Sequence, residues 1–298
     1  MSDEKEKPLV FVGIPVYNGE KFIKRRIESI LSQSHTNFEI LISDNASNDT
    51  TPNICKKFEK LDKRISYFRQ PKNLGYVENF NYLIKNGRGK YFVIAGVDDF
   101  WEPDFLEKNV QVLETNEKII GSIGKVKFFG YDGEPPKSSK LNLRFKKIIR
   151  KQELDVLETH VISCKGDYTN KVEKYLRFNQ GSFVYGLFRT EIVQKNIIGN
   201  LPAWDLVFIL NILQFGDLHV IDEILLHKFA GGLSSNGIIN EYKRGEIKFI
   251  DMFFPFTFSK WCRKNIGLKF FVKNFDWFFV LGIFNSLSVM REIIVKSK

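Results

Sequence analysis

Two adjacent aspartates, Asp98 and Asp99, are the residues whose placement points most directly to chemistry. They follow the short apolar run Tyr91 to Ala95, which is typical of a buried strand. Two neighbouring carboxylates repel each other unless a cation, a proton or a substrate charge compensates them. Oxygen ligands without nearby His or Cys favour Mg²⁺ or Mn²⁺, which bind through one or two carboxylates together with substrate phosphates. The alternative, a helix N-cap ahead of Pro103, explains one acid easily and two poorly.

Short polar segments also follow the three apolar runs that come earlier in the chain. Any one segment alone is explained by turn and N-cap chemistry, for which Asn, Asp and Ser are the usual residues. Their recurrence at successive strand ends indicates a shared binding edge, because parallel sheets bind ligands at the carboxyl ends of their strands. The residues singled out are Pro15, Tyr17, Asn18 and Glu20 in the first segment, Asp44 in the second, and Asn73, Gly75 and Asn79 in the third.

The spacing of apolar residues predicts the elements that hold these segments. Short β-branched or aromatic runs alternate with longer amphipathic stretches, which is typical of repeated βαβ units, hence of an α/β fold with a mostly parallel sheet flanked by helices. The predicted strands are Leu9 to Ile14, Phe38 to Ser43, Ile65 to Phe68, Tyr91 to Ala95, Ile119 to Phe129, Gly181 to Phe188 and Leu218 to Ile221. The predicted helices cover 19–33, 50–61, 76–86, 103–115, 150–177 and 204–215, with a surface loop at 132–142.

Four motifs, in consistent order and spacing within residues 8–110, resemble the nucleotide-sugar half of family 2 glycosyltransferases with the GT-A fold. They are Pro15-Val16-Tyr17-Asn18, the run from Asp44 to Asp49, Asn73-x-Gly75 and Asp98-Asp99-x-Trp101. The resemblance implies a Rossmann-like GT-A fold and a nucleotide-sugar donor. The implied donor-binding residues are Pro15, Tyr17, Asn18 and Glu20 beside the nucleotide, Asp44 at the base edge, Asn73, Gly75 and Asn79, and Asp98 at the diphosphate. Asp98 and Asp99 are the implied ligands of Mg²⁺ or Mn²⁺.

The chain departs from the family pattern at Gly96, because the last motif is commonly written Asp-x-Asp-Asp. The ribose or metal-water contact of that first acid is therefore absent. Asp98 and Asp99 still match the metal-binding pair, so we expect activity with weaker or altered metal use.

Three further residues belong to the second half of the resemblance. Asp205, at the start of the predicted helix 204–215, matches the position where family members place a catalytic acid. An Asp in the first turn of a helix is also favoured by the helix dipole alone. His227 precedes the Gly231-Gly232 loop, where family members often carry a polar or basic residue near the leaving group. Arg189 is a candidate acceptor contact, and a core strand with a snorkelling Arg is an equal alternative.

The resemblance implies an inverting transfer, in which Asp205 takes the proton of an acceptor hydroxyl while the metal on Asp98 neutralises the departing diphosphate. A carboxylate at Asp44 accepts the N–H of uracil, thymine or guanine but repels cytosine. We expect a UDP-, dTDP- or GDP-sugar, with a UDP-sugar favoured. The expected acceptor is a glycan or a lipid-linked glycan.

Two other functions stay open at this point. A metal-dependent nucleotidyltransferase also uses carboxylates at strand ends, but it needs a glycine- and lysine-rich phosphate loop where this chain has Pro15-Val16-Tyr17-Asn18. A non-catalytic nucleotide-sugar or glycan-binding protein is the second alternative, which Gly96 keeps open.

Composition shifts near the end of the chain. Residues 245–298 hold thirteen of the Phe and Trp residues and carry nine basic against four acidic side chains, in a chain of 298 residues with net charge +10. We predict a GT-A domain at 1–240, with a donor half at 8–110 and an acceptor half at 111–240, and a helical, aromatic-rich region at 241–298. Residues 246–298 form either an amphipathic element at an anionic membrane surface, or helices that close the domain or join two copies. Nucleic-acid binding lacks a recognisable module.

The sequence also bears on location. Cys55, Cys164 and Cys262 are too few and too scattered for a disulfide framework or a zinc site, and the charged N-terminus has no apolar core of a signal peptide. The longest apolar run, Trp277 to Phe284, is short of the roughly 20 residues that a spanning helix needs. We therefore expect a cytoplasmic protein, peripheral at the cytoplasmic face of the membrane if the 246–298 segment is interfacial.

Overall fold

The computed structural model describes residues 7–130, 161–178, 181–199, 201, 203–229, 238–243 and 248–296. The predicted loop at 132–142, residues 150–160 of the predicted helix 150–177 and the Gly231-Gly232 loop lie outside these residues. The described part of that predicted helix is helical only from Tyr168 onward. The strands are β1 (Val10–Val16), β2 (Phe38–Asp44), β3 (Ile65–Arg69), β4 (Tyr91–Ile94), β5 (Phe100–Trp101), β6 (Ile119–Phe129), β7 (Leu187–Arg189) and β8 (Asp217–Phe229). The helices are α1 (Ile23–Leu31), α2 (Thr51–Leu61), α3 (Tyr76–Asn86), α4 (Phe105–Thr115), α5 (Tyr168–Phe178), α6 (Thr190–Gln194), α7 (Trp204–Ile212), α8 (Ile238–Lys243), α9 (Phe256–Asn265), α10 (Leu268–Lys273) and α11 (Phe275–Lys296).

The eight strands form one mixed sheet in the order β3-β2-β1-β4-β7-β6-β8-β5. Strands β3, β2, β1 and β4 are parallel, and so are β6 and β8, whereas β7 and β5 run antiparallel to their neighbours. The predicted α/β fold with flanking helices is confirmed. The parallel half places the ends of β1, β2 and β4 at one edge, and β8 ends at the same edge because Phe100, just past β4, pairs with His227.

Burial explains the parallel half. Every residue of β1 is buried, as expected of a central parallel strand covered on both faces. Helix α1 buries Ile23, Arg26, Ile27 and Ile30, an i, i+3, i+4, i+7 stripe that faces the sheet. Gly13 lets α3 approach closely, because a Cβ there would lie 3.1 Å from the Leu83 Cβ.

Two predicted strands in the second half differ from the structure, one in its type of secondary structure and one in its length. The stretch Gly181 to Phe188 is mostly a 3₁₀ helix at Ser182–Tyr185, because Gly181 has a left-handed φ of 75° that turns the chain before the short β7. The strand predicted at Leu218 to Ile221 is the start of β8, which runs for 13 residues and follows β6 across several register shifts.

The C-terminal helices pack on the sheet domain through a small set of buried side chains. Phe258, Cys262, Phe270 and Phe278 are all at most 4% exposed and belong to the main hydrophobic core. Lys273 pairs with Glu173 on α5 at 2.7 Å. The predicted helical region therefore closes the domain on one of its faces.

The opposite face of these helices is apolar and exposed. Its side chains are between 36% and 64% exposed, and they are Phe249, Ile250, Phe253, Phe256, Leu268, Val272, Phe275, Phe279, Val280, Ile283, Leu287, Met290, Ile293 and Ile294. We call this set the C-terminal apolar face.

Helix α11 also corrects the expectation that no segment could span a bilayer. Asp276 and Asn285 do not end the apolar run but lie within one helix of 22 residues. By length and composition alone, Phe275–Ile294 could cross a membrane, with a mean hydropathy of 1.4 and 20% of the window buried.

Candidate functional site

The loop that follows β1 and the loop that follows β2 are joined by hydrogen bonds. The Asn18 backbone N–H donates to Ser47 Oγ at 2.9 Å, and Asn18 Oδ1 accepts from the Asn48 N–H at 2.8 Å. The Glu20 carboxylate accepts from both the N–H and the hydroxyl of Thr50, at 3.0 and 2.7 Å, and these hydrogen bonds lower the pKa of Glu20. Asn18 and Glu20 thus lock the loop that precedes α2 against the loop that follows β1.

Backbone strain is concentrated at this edge. Among the described residues, the non-glycine residues with positive φ are Asn18 at 50°, Ala46 at 63° and Ala203 at 55°. Each lies in a loop next to a predicted site residue, and such conformations persist where the surrounding structure holds them for function. Tyr17 is 44% exposed on this edge, whereas Pro15 is buried within β1.

Asp44 is fully buried, at 0% exposure, and both of its oxygens are engaged. Oδ1 accepts from the Ser47 N–H at 2.9 Å, and Oδ2 accepts from the Tyr67 hydroxyl at 2.6 Å with Arg69 Nε at 3.7 Å. Burial and the Asp44 carboxylate raise the pKa of Tyr67. The group presented beside Asp44 is therefore the Tyr67 hydroxyl with the half-exposed Arg69.

The third polar segment is held by Asn45, which the sequence reasoning did not single out. Asn45 Nδ2 donates to Asn73 Oδ1 at 2.9 Å and to the Gly75 carbonyl at 3.1 Å. Asn79 is 2% exposed and exchanges two hydrogen bonds with Ser43 of β2. Asn73 and Asn79 thereby fix the start of α3 to the end of β2.

Asp98 and Asp99, the acid pair, follow β4. Asp99 is 3% exposed, and its Oδ1 accepts from the Phe229 N–H at 3.0 Å at the end of β8. A Cβ on Gly96 would lie 2.6 Å from Asp99 Oδ2, so the missing side chain at 96 is what makes room for this carboxylate. Burial, and then the charge of Asp98, raise the pKa of Asp99 to about 6. Burial also raises the pKa of Asp98.

A buried cation lies behind the acid pair. Arg26 is 0% exposed, its guanidinium carbon lies 3.9 Å from the Trp101 ring centroid, and Nη1 donates to the Asp99 carbonyl at 3.5 Å. Within the described part of the chain, Nε and Nη2 find no hydrogen-bond acceptor. Burial lowers the pKa of Arg26 to about 9, against the opposing effect of the Asp99 and Asp98 charges.

Asp205 occupies the first turn of α7. Its Oδ1 accepts from the Leu206 N–H at 2.9 Å, and its Oδ2 lies 2.7 Å from the position of a Cβ on Gly181. The neighbouring Trp204 packs 5.0 Å from the Tyr76 ring of α3, which ties α7 to the donor half of the sheet. Burial raises the pKa of Asp205.

Lys228 links the two sets of carboxylates. Its Nζ donates to Ser182 Oγ at 3.3 Å and lies 4.8 Å from the Tyr185 ring centroid. Burial lowers the pKa of Lys228, while the charges of Asp99, Asp205 and Asp98 oppose that shift. The charges of the acid pair and of Asp205, separated by more than a hundred residues in the sequence, therefore both act on one ammonium group.

A strand-end acid pair, a helix-start aspartate and a sheet of this order invite comparison with known proteins. The family model for glycosyl transferase family 2 matches residues 11–170, which is more than half of the chain. The chain belongs to glycosyltransferase family 2.

Curated relatives extend the match to different lengths. An uncharacterized glycosyltransferase of Methanocaldococcus jannaschii is 34% identical over 171 residues, 55% of this chain and 59% of that protein. The chain spans about a third to three fifths of the length of the first curated relatives it matches. A dolichyl N-acetyl-α-D-glucosaminyl phosphate 3-β-D-2,3-diacetamido-2,3-dideoxy-β-D-glucuronosyltransferase of Methanococcus voltae is 27% identical over 293 residues, 94% of this chain and 81% of that protein.

Solved structures share the fold. Staphylococcus aureus TarS 1-349 in complex with UDP-GlcNAc superposes with a TM-score of 0.58 at 18% identity, over 77% of this chain and 61% of that one. The mannosyltransferase PcManGT of Pyrobaculum calidifontis, in complex with GDP-Man and Mn²⁺, gives a TM-score of 0.53 at 16% identity, over 75% of this chain and 57% of that one. The eight-stranded sheet of this glycosyltransferase is thus of the GT-A type.

The acid pair fits a divalent cation by its chemistry. Among the described residues, no cluster of three or more His, Cys, Asp or Glu side chains is placed to hold a metal. Mg²⁺ and Mn²⁺ need no such cluster here, since one or two carboxylates with substrate phosphates and water suffice. In this glycosyltransferase Asp98 is half-buried and Asp99 is anchored by Phe229, so Asp98 is the more accessible ligand.

Two predicted contacts, His227 near the acid pair and Arg189 far from it, are engaged with other groups of the protein. The His227 ring stacks on Phe100 at 4.4 Å, and its Nε2 is 2.6 Å from Glu102 Oε1. Arg189 pairs with Tyr91 at the start of β4, and its guanidinium donates to the carbonyls of Leu113 and Ile119. Arg189 therefore lies at the opposite ends of the strands from the acid pair, where it hydrogen-bonds to the segment between α4 and β6. This position does not fit the predicted acceptor contact.

The residues that sequence reasoning missed are mostly cations. Lys228 follows His227 in β8, and successive residues of a strand point to opposite faces. The predicted strand ended at Ile221, before the exposed Asp222 and Glu223, so the sequence did not place Lys228 on a strand. Arg26 interrupts the apolar stripe of α1, and charged residues are almost never fully buried unless they are paired. Its position in the sequence could therefore have predicted a buried cation next to a carboxylate.

Proposed function

We propose that this family 2 glycosyltransferase transfers a sugar from a nucleotide-sugar donor, with a UDP-sugar favoured, to a hydroxyl of a glycan or lipid-linked glycan acceptor, with inversion. The observation that carries the proposal is that the end of β8 connects the two sets of carboxylates. Phe229 donates its N–H to Asp99, and Lys228 donates to Ser182, whose neighbour Gly181 lies against the Asp205 carboxylate. Residues 8–110 would form the donor half, 111–240 the acceptor half and 241–298 a separate helical region. Helix α8 hydrogen-bonds to α11 through Ile239 and Glu292, so the last boundary would fall just before Ile238.

The reaction is one displacement. The acceptor oxygen bonds to the anomeric carbon as the bond from that carbon to the β-phosphate oxygen breaks, and the bonding pair leaves with the nucleoside diphosphate. Asp205 takes the hydroxyl proton, and its raised pKa makes it a stronger base than an ordinary aspartate. A single displacement from the opposite side inverts the anomeric centre.

The acid pair would hold Mg²⁺ or Mn²⁺, which supplies positive charge for the diphosphate when bound. The charge of Arg26, behind the pair and out of solvent, opposes the rise in the pKa of both carboxyl groups that burial causes. The Mn²⁺ complex of PcManGT supports this use of the GT-A edge.

Asp44 would read the nucleobase together with Tyr67. Asp44 is fully buried, so the imide N–H of uracil would reach its Oδ2 only if the Tyr67 hydroxyl that donates to it moved aside. The UDP-GlcNAc complex of TarS supports a uridine donor for this fold.

Thermal unfolding with UDP, dTDP, GDP and CMP, each with Mn²⁺ or with EDTA, tests the donor site. A ligand at 100 times its dissociation constant adds about 2.7 kcal/mol of stability, so a bound nucleotide is readily detected. We expect the largest rise in melting temperature with UDP and Mn²⁺, followed by transfer when the matching UDP-sugars are supplied with glycan acceptors. Binding without transfer to any acceptor would support a non-catalytic nucleotide-sugar-binding protein instead.

The acceptor side of the proposal includes a membrane. The helices that carry the C-terminal apolar face also carry the exposed basic residues Lys260, Lys264 and Lys269, a pattern typical of helices that lie in the interface of an anionic bilayer. We propose peripheral attachment from the cytoplasmic side, next to a lipid-linked acceptor. The Methanococcus voltae relative, named for a dolichyl phosphate substrate, supports this acceptor class.

Vesicle sedimentation tests the attachment. The full chain should pellet with phosphatidylglycerol-containing vesicles, and Phe279→Glu with Ile283→Glu should remain in the supernatant. Both side chains are about half exposed, so these changes leave the core intact, whereas deleting 246–298 would remove Phe258, Cys262 and Phe278 from the core. Equal pelleting of the double variant would contradict membrane attachment, and concentration-dependent self-association of the wild type would favour a dimer at this face.

A further inference from the structure

The edge that carries the acid pair also carries a cation of its own. Lys228 is the next-to-last residue of β8, and the following residue, Phe229, donates its N–H to Asp99 Oδ1 at 3.0 Å. The backbone that presents Lys228 is therefore fixed directly to the acid pair.

The direction of the Lys228 side chain follows from the strand. Successive residues of a strand point to opposite faces, and His227 stacks on Phe100 on one face. Lys228 takes the other face, where its ammonium meets Ser182 Oγ at 3.3 Å and the Tyr185 ring at 4.8 Å. This is the face toward Asp205, because Gly181, the residue before Ser182, lies against the Asp205 carboxylate.

Among the described residues, no carboxylate lies within ion-pair distance of the Lys228 ammonium, whose direct contacts are the Ser182 hydroxyl and the Tyr185 ring. A hydroxyl and an aromatic ring stabilise an ammonium weakly compared with a direct ion pair. An ammonium has three donors, and one of them is directed to Ser182. Lys228 is half-buried and lies between the acid pair, which would bind the donor, and Asp205, which would activate the acceptor. The diphosphate of the donor would bring its negative charge to this place.

We propose that Lys228 is a diphosphate-binding residue whose ammonium pairs with the phosphate oxygens of the donor and stays with the departing nucleoside diphosphate. The inference rests on the proposed nucleotide-sugar transfer and adds to it a component of donor binding that needs no divalent metal. As the bond between the anomeric carbon and the phosphate oxygen breaks, the bonding pair moves onto the diphosphate, and Lys228 compensates that charge without giving up its proton.

Calorimetric titration of the full chain with UDP, in EDTA and in Mn²⁺, tests the proposal through binding rather than turnover. Wild type should bind UDP in EDTA, more weakly than with Mn²⁺. Lys228→Gln should weaken binding in EDTA by about tenfold to a hundredfold, the range expected when a hydrogen bond to a charged group is lost. The loss should be smaller with Mn²⁺, and Lys228→Arg should retain most of the affinity in EDTA because it keeps the charge.

The matched control is Lys127→Gln. Lys127 is exposed on β6 and pairs in register with His227, so it lies on the same edge but on the face opposite to Lys228. It removes the same charge from the chain and should leave UDP binding unchanged. Thermal unfolding of each variant without ligand checks that the fold is kept, and Lys228→Met provides a second neutral variant if Lys228→Gln is unstable.

Three results would overturn the proposal, and they are distinguishable. If Lys228 serves only to neutralise the carboxylates, Lys228→Gln should bind Mn²⁺ more tightly and UDP in EDTA equally well. Wild-type binding that vanishes in EDTA and returns with Mn²⁺ removes the metal-independent component while keeping the proposed function. No binding of any nucleoside diphosphate by wild type, with or without Mn²⁺, removes the proposed function and Lys228 with it.

Discussion

The parallel half of the sheet and the C-terminal helices use aromatic side chains in opposite ways. In the sheet, Phe11 and Phe92 stack at 5.7 Å and are at most 3% exposed, and polar groups gather at the open edge. In the helices, Phe249 is 62% and Phe279 is 55% exposed. The first arrangement presents polar chemistry over an apolar base, and the second presents apolar surface itself.

The comparison separates two jobs within one chain. The polar edge is largely bound to itself, as the hydrogen bonds of Glu20 to Thr50 and of Asn79 to Ser43 show, so few of its groups remain to meet a ligand. The C-terminal helices keep one face for the core and leave the other for a partner. Substitutions in one region should therefore change catalysis or surface attachment without changing the other.

Asp205→Asn should have the largest effect, because it removes the proposed base and leaves the shape. We expect transfer to fall by about 10²- to 10⁴-fold, the usual contribution of a positioned general base, while UDP affinity and vesicle binding stay near wild type. Rates with a water-soluble acceptor, together with calorimetric UDP binding, measure both parts.

Asp222→Asn is the matched control for that variant. Its carboxylate is 89% exposed and pairs with Lys125 away from the acid pair, so its loss should leave the rate unchanged. Near-normal turnover of Asp205→Asn would remove the assignment of the base.

Two adjacent residues of α11 test the other side of the comparison. Phe278 is 0% exposed and Phe279 is 55% exposed. Phe278→Ala should lower the free energy of unfolding by about 3–5 kcal/mol, as large-to-small changes in a core do. Phe279→Ala should change it by less than about 0.5 kcal/mol and weaken vesicle binding instead.

Denaturant unfolding and vesicle sedimentation of the two alanine variants give the answer. Equal destabilisation by both would mean that α11 has no outward face. A loss of vesicle binding by Phe278→Ala under conditions where it is folded would merge the two faces that the exposure values separate.

The parallel half was predictable from sequence to within two residues at the strand ends. Continuous apolar runs bounded by polar turns predicted β1 and β4, because strands buried on both faces need such runs. Apolar runs also predicted β2 and β3, although β3 is a largely exposed edge strand. In the second half the signals were weaker. Gly181 turns the chain by a left-handed φ, and exposed Asp222 and Glu223 hide the continuation of β8.

Site prediction was limited by the same difference. The acid pair and Asp205 could be chosen by their local motifs, and the structure brings them to one ammonium group. Lys228 could not, since its approach to Asp99 joins residues about 130 positions apart and depends on β8 pairing with β5. Asp44 was readable as a polar strand end, but its bond with Tyr67 depends on the pairing of β2 with β3.

Gly96→Ala tests whether the glycine at position 96 is needed to make room for the Asp99 carboxylate. A Cβ there would lie 2.6 Å from Asp99 Oδ2, so the carboxylate must move or the turn must shift. We expect UDP binding with Mn²⁺ to weaken by about tenfold, equivalent to about 1.4 kcal/mol. Calorimetric titration measures it.

Gly199→Ala is the control for that change, because its added methyl group meets open space. An unchanged affinity of Gly96→Ala would show that the position of Asp99 is not needed for donor binding. Vesicle binding of either variant should equal that of wild type, which keeps the two regions separate.

The pH dependence should give the smallest but most specific difference between the regions. Burial raises the pKa of Asp205, and the base must be ionised to accept a proton, so transfer is full above that pKa and falls tenfold per unit below it. The acidic limb of kcat/KM should therefore have its midpoint above the ordinary aspartate value of about 4, with vesicle binding nearly constant over the same range. Asp99, with a pKa of about 6, would produce a limb of the same sign. The residual activity of Asp205→Asn separates the two groups, because a limb that persists in this variant belongs to the acid pair, whereas a flat profile assigns it to Asp205.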